Sequence, residues 1–135
     1  MSDSTPQLPT PNKLPIPNSQ TRQKPYDIRV RTFEFALRML AVAGALPKEG
    51  FGTTIANQLA RCGTSVGANI EEADGAVTKA DKRRTLVVAR KELREARYWL
   101  RIIDRIWAQQ LQVGKDVGEA TELLNIVSTI ITKLA

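Results

Sequence analysis

The chain has no histidine, one cysteine (Cys62), and an aromatic content of only 5%. Without histidine, the Ser–His and Cys–His nucleophile pairs and the imidazole-based metal sites cannot be built, which leaves only carboxylate or lysine chemistry. One cysteine cannot form an intrachain disulfide, so a reducing compartment is the expected home. Long apolar runs are missing too. No stretch approaches the roughly 18 apolar residues of a membrane span, and the start lacks a basic segment followed by an apolar run. These absences predict a soluble, cytoplasmic protein with no membrane partner. A Gly-x-Gly-x-x-Gly turn after a strand, a Gly-Lys-Ser/Thr loop and a Gly-x-Ser-x-Gly elbow are all absent, so neither an enzyme, a cofactor nor a bound metal is expected.

Proline is unevenly spread: six of the seven (Pro6, Pro9, Pro11, Pro15, Pro17 and Pro25) fall in residues 1–25 among Ser, Thr, Asn and Gln. Proline lacks a backbone donor and opposes helix, so residues 1–25 read as a disordered, polyproline-like tail. Residues 26–135 are the size of one domain with one core. Its apolar residues are mostly Leu, Ile, Val and Ala, a mix that favours helices over sandwiches.

Four helical patterns follow. Asp27 can cap a first helix with an apolar row Phe33, Leu37, Leu40, Gly44 and a flanking row Phe35, Met39, Val42, Leu46, closed by Pro47. Thr53 or Thr54 can cap a second, with the stripe Ile55, Leu59, Cys62, Val66, Ile70 and Ala73. Its internal Gly63 and Gly67 predict a closely packed neighbour. Thr78 with Asp81 makes a capping box for a third, whose seam Leu86, Ala89, Leu93, Ala96, Leu100, Ile103, Trp107 alternates steps of three and four. After a break at Gly114, Asp116 with Glu119 reads as a cap for a fourth helix carrying Val117, Ala120, Leu124, Val127, Ile131 and Leu134. Amphipathic helices joined by short loops predict an all-α, up-and-down four-helix bundle.

The net charge of +6 has a local origin, since residues 79–105 hold ten basic and four acidic residues. At 100° per residue, Arg83, Arg90, Arg94, Arg97, Arg101 and Arg105 form one stripe roughly opposite the seam. A line of planar guanidinium forks suits phosphate, which makes RNA or DNA the expected partner; the competing readings are a solvated face partly neutralised by acids of a neighbouring helix or subunit, and a protein-only homo-oligomeric scaffold whose arginines pair with Glu71, Glu72 and Asp74 across subunits. Glu92 and Glu95 fall instead on the bundle side. Buried carboxylates need partners, and Arg61, Ser65 and Asn69 of the second helix, four apart, offer a polar row that would meet them inside the bundle and set helix register. Glu71, Glu72 and Asp74 end the second helix against its dipole, where the third-helix arginines would be suitable partners.

Residues 58–72, QLARCGTSVGANIEE, resemble the central helix of the bacterial four-helix-bundle family that includes proteins encoded within intervening sequences of large-subunit ribosomal RNA genes. Gln58, Arg61, Ser65, Ala68, Asn69, Ile70 and Glu72 carry the match, with Cys62 standing where alanine is usual. The run Lys91, Glu92, Glu95, Tyr98, Trp99, Leu100 is similar to that of one subgroup, and Arg31, Thr32, Phe35 and Ala36 extend the likeness into the first helix. The resemblance implies a left-handed up-and-down bundle, a ring-shaped homopentamer, and no assigned enzymatic activity. It also implies kinship with the accessory protein of diversity-generating retroelements, which binds a reverse transcriptase and nucleic acid.

Overall fold

A computed structural model describes residues 27–135; the Pro-rich tail, 1–25, lies outside the described residues. Four helices follow one another: α1 (Ile28–Ala45), α2 (Phe51–Asp74), α3 (Lys79–Ile106) and α4 (Gly114–Lys133). Each of the first three packs along the next, whereas α1 and α4 touch only sparsely. Short connections enforce this up-down order. Among the described residues there is no strand, and no helix is long and apolar enough to cross a membrane.

The ends of the helices follow local chemistry. The Asp27 carboxylate accepts from the Val30 amide at 3.4 Å and opens α1, while Leu46 before Pro47 is extended, as a pre-proline residue prefers. The Thr78 hydroxyl accepts from the Asp81 amide at 3.1 Å and opens α3. Two expected caps are not used. Helix α2 starts at Phe51, ahead of Thr53 and Thr54, from Gly50 at φ 60°, a conformation glycine adopts without steric cost. Helix α4 begins at Gly114 rather than beyond it, and no side chain caps it. Asp116 and Glu119 lie within its first turns and turn inward.

The α2 stripe Ile55 to Ala73 and the α3 seam Leu86 to Trp107 are buried along their whole lengths. So are Ala120, Leu124, Val127 and Ile131 of α4, joined by Leu123. Of the two apolar rows of α1, the flanking one is buried. Phe35, Met39, Val42 and Leu46 form the core face, while Phe33 and Leu37 are 62% and 37% exposed. Both rows are apolar, so spacing alone cannot choose between them; the buried arginines on the core flank do.

Arg31 and Arg38 are each 5% exposed and project from α1 to α4. Arg38 forms a two-pronged pair with Asp116, Nε to Oδ1 at 2.8 Å and Nη2 to Oδ2 at 2.9 Å. Arg31 reaches both Glu119 oxygens, at 3.2 and 2.6 Å, and Glu122 at 3.2 Å. Burial opposes the charge on Arg31, but the hydrogen bonds and charges of Glu119 and Glu122 outweigh it and raise its pKa. Burial pushes the Asp116 carboxyl up, with Arg38 pulling the other way. Arg38 Nη1 is buried and finds no hydrogen-bond partner among the described residues, which reduces what the pair contributes.

The expected close approach at the α2 glycines is met by α1. A Cβ on Gly63 would stand 2.6 Å from Met39 Cβ, and one on Gly67 would stand 3.3 Å from the Thr32 carbonyl oxygen. Beside Gly63, Cys62 is wholly buried; burial first, then the charge of Glu95, pushes its thiol up to about 12.

Removing one member of a buried ion pair leaves the other charge stranded. Asp116→Ala should therefore cost about 3–5 kcal/mol in urea unfolding, and Arg38→Met combined with Asp116→Leu should recover most of the loss; additive single losses would refute the coupling. Gly63→Ala should destabilise by about 1–3 kcal/mol despite its better helix propensity, because Met39 Cβ sits next to the α1 backbone and cannot swing aside. By contrast, Gly118→Ala in α4, with nothing within 4 Å of its added Cβ, should stabilise by about 0.5–1 kcal/mol. The Cys62 thiol should react with a disulfide reagent at pH 8 only as fast as the bundle opens, so fast labelling of the folded protein would contradict its burial.

Candidate nucleic-acid interface

Helix α3 keeps its seam in the core and turns two different polar faces outward, one toward α2 and one beside α4. On the α2 side, Arg61 donates from Nη1 to Glu92 at 3.2 Å and from Nη2 to Glu95. Gln58 accepts from Arg61 Nε at 3.3 Å, and the Trp99 indole N–H donates to Glu95 at 3.2 Å. Burial would raise the Glu95 carboxyl, but the hydrogen bonds from Arg61 and Trp99 outweigh it and hold it below its ordinary range. Donating that hydrogen bond to Glu95 in turn raises the pKa of Arg61.

Only part of the expected polar row takes part. Asn69 Nδ2 donates to the Ser65 carbonyl at 2.9 Å and to its hydroxyl at 3.2 Å, so Ser65 and Asn69 satisfy each other within α2 and do not meet Glu92 or Glu95. Glu72 is exposed and does not join them. The Arg61 side chain is half exposed, at 50%, so the bridge lies along the edge of the α2–α3 contact and not inside the bundle. Arg61, Ser65 and Asn69 each precede a residue of the buried stripe Cys62, Val66, Ile70 and so sit about 100° round the helix from it, at the edge of the bundle and not inside it.

The arginine stripe lies on the other flank. Arg83, Arg94, Arg101 and Arg105 are exposed, whereas Arg90 and Arg97 are half-buried. Arg97 donates to the Thr121 hydroxyl of α4 at 3.3 Å. On a helix advancing 100° per residue, the stripe centres about 110° from the seam, so it borders the α3–α4 groove and is not opposite the core. From Arg83 to Arg105 it runs about 33 Å at 1.5 Å per residue.

The pairing of the other arginines sets this stripe apart. Arg29, Arg31, Arg38, Arg61 and Arg84 each form an ion pair. None of Arg83, Arg90, Arg94, Arg97, Arg101 and Arg105 forms one with a described residue. The acidic end of α2 does not neutralise them: Asp74 pairs with Arg29 of α1 at 3.2 Å, and Glu71 and Glu72 are exposed. Among the described residues the stripe is thus a row of forked donors without ion pairs, a chemistry suited to polyanion oxygens. Among the described residues, no cluster of acidic residues and cysteine is placed to hold a metal ion.

Sequence reasoning missed the buried α1–α4 pairs. Arg31 and Arg38 are one heptad apart, and Asp116 and Glu119 share a face with Ala120 and Leu123, which is the signal that could have found them.

No curated protein matches the chain. Among solved structures, it is similar to a protein of unknown function from the S23 ribosomal protein family of Bacteroides thetaiotaomicron. The two share 32% identity and a TM-score of 0.71 over 77% of this chain and 97% of that one. Residues 24–132 match the model of the 23S rRNA-intervening sequence protein family. The match takes in all of the first three helices and all but the last residue of α4, and the chain belongs to that family.

Proposed function

We propose that this protein is a non-enzymatic, homo-oligomeric RNA-associated protein that holds the phosphate backbone along the α3 stripe. One observation carries the reading: among the described residues, arginines on α1, on α2 and Arg84 of α3 are paired with carboxylates, whereas Arg83, Arg90, Arg94, Arg97, Arg101 and Arg105 form no such pair. Self-repulsion along a helix costs stability unless a counter-charge arrives from outside. The ribosomal RNA setting of the family is in keeping with a polyanion. A role without chemistry of its own is supported by the lack of histidine and by the burial of Cys62, the one thiol.

The assembly part of the proposal rests on α1. Val30, Phe33 and Leu37 are 52%, 62% and 37% exposed on its outer face, an apolar row that a second copy would cover. In a ring the interface joins two different patches, and the acidic end of α2 could serve as a further contact there.

Binding of a labelled RNA stem-loop should weaken steeply with salt. Replacing Arg83, Arg94 and Arg101 together by Gln should lower the log–log salt slope by about 2–3 and the low-salt affinity by at least tenfold. Undetectable low-salt binding by the parent protein, or an unchanged slope in the triple variant, removes the proposal. Native mass spectrometry tests the assembly: Phe33→Asp with Leu37→Asp should reduce the oligomer to a monomer, and an unchanged mass would place the contact elsewhere.

A further inference from the structure

Tyr98 is 55% exposed and beyond the hydrophobic core, and its hydroxyl makes no hydrogen bond to a described residue. Its ring meets the Trp99 indole edge to face, with centroids 5.4 Å apart at 69°, so the ring is steadied while much of its surface stays open. Around the helix it lies about 40° from Arg94, 60° from Arg101 and 20° from Arg105. The ring therefore stands within the C-terminal half of the stripe, where those three guanidiniums form no ion pair with a described residue.

A groove beside it is lined by Tyr98, Arg101, Ile102, Asp104, Arg105 and Ile106, with Val117 of α4 completing it. Ile106 is 49% exposed. The groove thus joins an open aromatic face and apolar side chains to two cations. The Asp104 carboxylate in the same lining repels a phosphate but accepts from the N–H of a base. Its chemistry suits a planar, flat-faced group attached to an anion.

We propose that Tyr98 is a stacking platform for an unpaired nucleotide base, so that this end of α3 selects single-stranded over duplex RNA. This inference rests on the nucleic-acid reading of the stripe and adds what that reading lacks, since arginines alone serve the backbone of either form. In a duplex the base faces are occupied by their neighbours, whereas an unstacked base offers a π-face to an exposed aromatic ring. Arg101 and Arg105, one and two turns further along α3, then hold the flanking phosphates while the base covers Tyr98 and Ile106.

Fluorescence anisotropy with the full-length protein tests this, using a labelled 12-nucleotide single-stranded RNA and the same strand annealed into a blunt duplex at one salt concentration. The parent should prefer the single strand. Tyr98→Ala and Tyr98→Leu should each weaken single-strand binding about tenfold and leave duplex binding within twofold, while Tyr98→Phe keeps the preference. Equal single-strand affinity in Tyr98→Ala, with loss on replacing Arg83, Arg94 and Arg101, overturns the stacking site and leaves the stripe standing. No binding of either RNA by the parent overturns both. If Tyr98→Ala lowers the oligomer mass by native mass spectrometry and weakens both RNAs alike, Tyr98 is a contact between copies and the inference fails.

Discussion

The α1–α4 side of this bundle is closed by charge and not by close helix packing. Helices α1 and α4 touch sparsely, yet Arg31 and Arg38 cross between them to Glu119, Glu122 and Asp116. Paired guanidinium and carboxylate groups of this kind owe little of their worth to net stability, because desolvation consumes much of the attraction. Their consequence is specificity. A shift of α4 by one turn, or a rotation of α1, would leave several buried charges unmet, at a cost far above that of misplacing an apolar side chain. The same pairs decide which of the two apolar rows of α1 faces the core and which stays outside.

With α1 held in that orientation, the close approach to α2 follows, since Met39 and Thr32 are brought against Gly63 and Gly67. Helix α2 in turn fixes α3 through its apolar stripe and through the edge bridge from Arg61 to Glu92 and Glu95. The rotation of α3 is thereby set, and its arginine row emerges beside α4. The outward direction of the arginine row thus depends on ion pairs between α1 and α4 that it does not itself make.

Most of the described arginines divide into two populations by environment. Arg29, Arg31, Arg38 and Arg61 meet carboxylates of another helix, and Arg84 pairs locally with Asp81, whereas the six of the α3 stripe form no ion pair with a described residue. Arg97 stands between the two, half-buried and bonded to Thr121. Composition cannot separate these roles, because each arginine carries the same charge and differs only in what the fold places within about 4 Å.

Much of the architecture was legible in the residues themselves. The seams of α2, α3 and α4, the Asp27 and Thr78 caps and the close-packed glycines follow from period, side-chain chemistry and size, which act over a few residues. The arginine stripe was legible for the same reason, since one helix suffices to align it. Other features depended on neighbours distant in sequence. Asp116 and Glu119 looked like cap residues because their partners lie 78 and 88 positions away. The buried row of α1 could not be told from the exposed one because both are apolar. Ser65 and Asn69 looked like partners for Glu92 and Glu95, but in the folded bundle Asn69 bonds Ser65 within α2 and Arg61 alone of the three reaches the carboxylates. Local periodicity therefore determined that four amphipathic helices form. Which faces they bury, and which charges are spent inside, was decided in the folded bundle, where desolvation makes an unmet charge costly enough to select one arrangement.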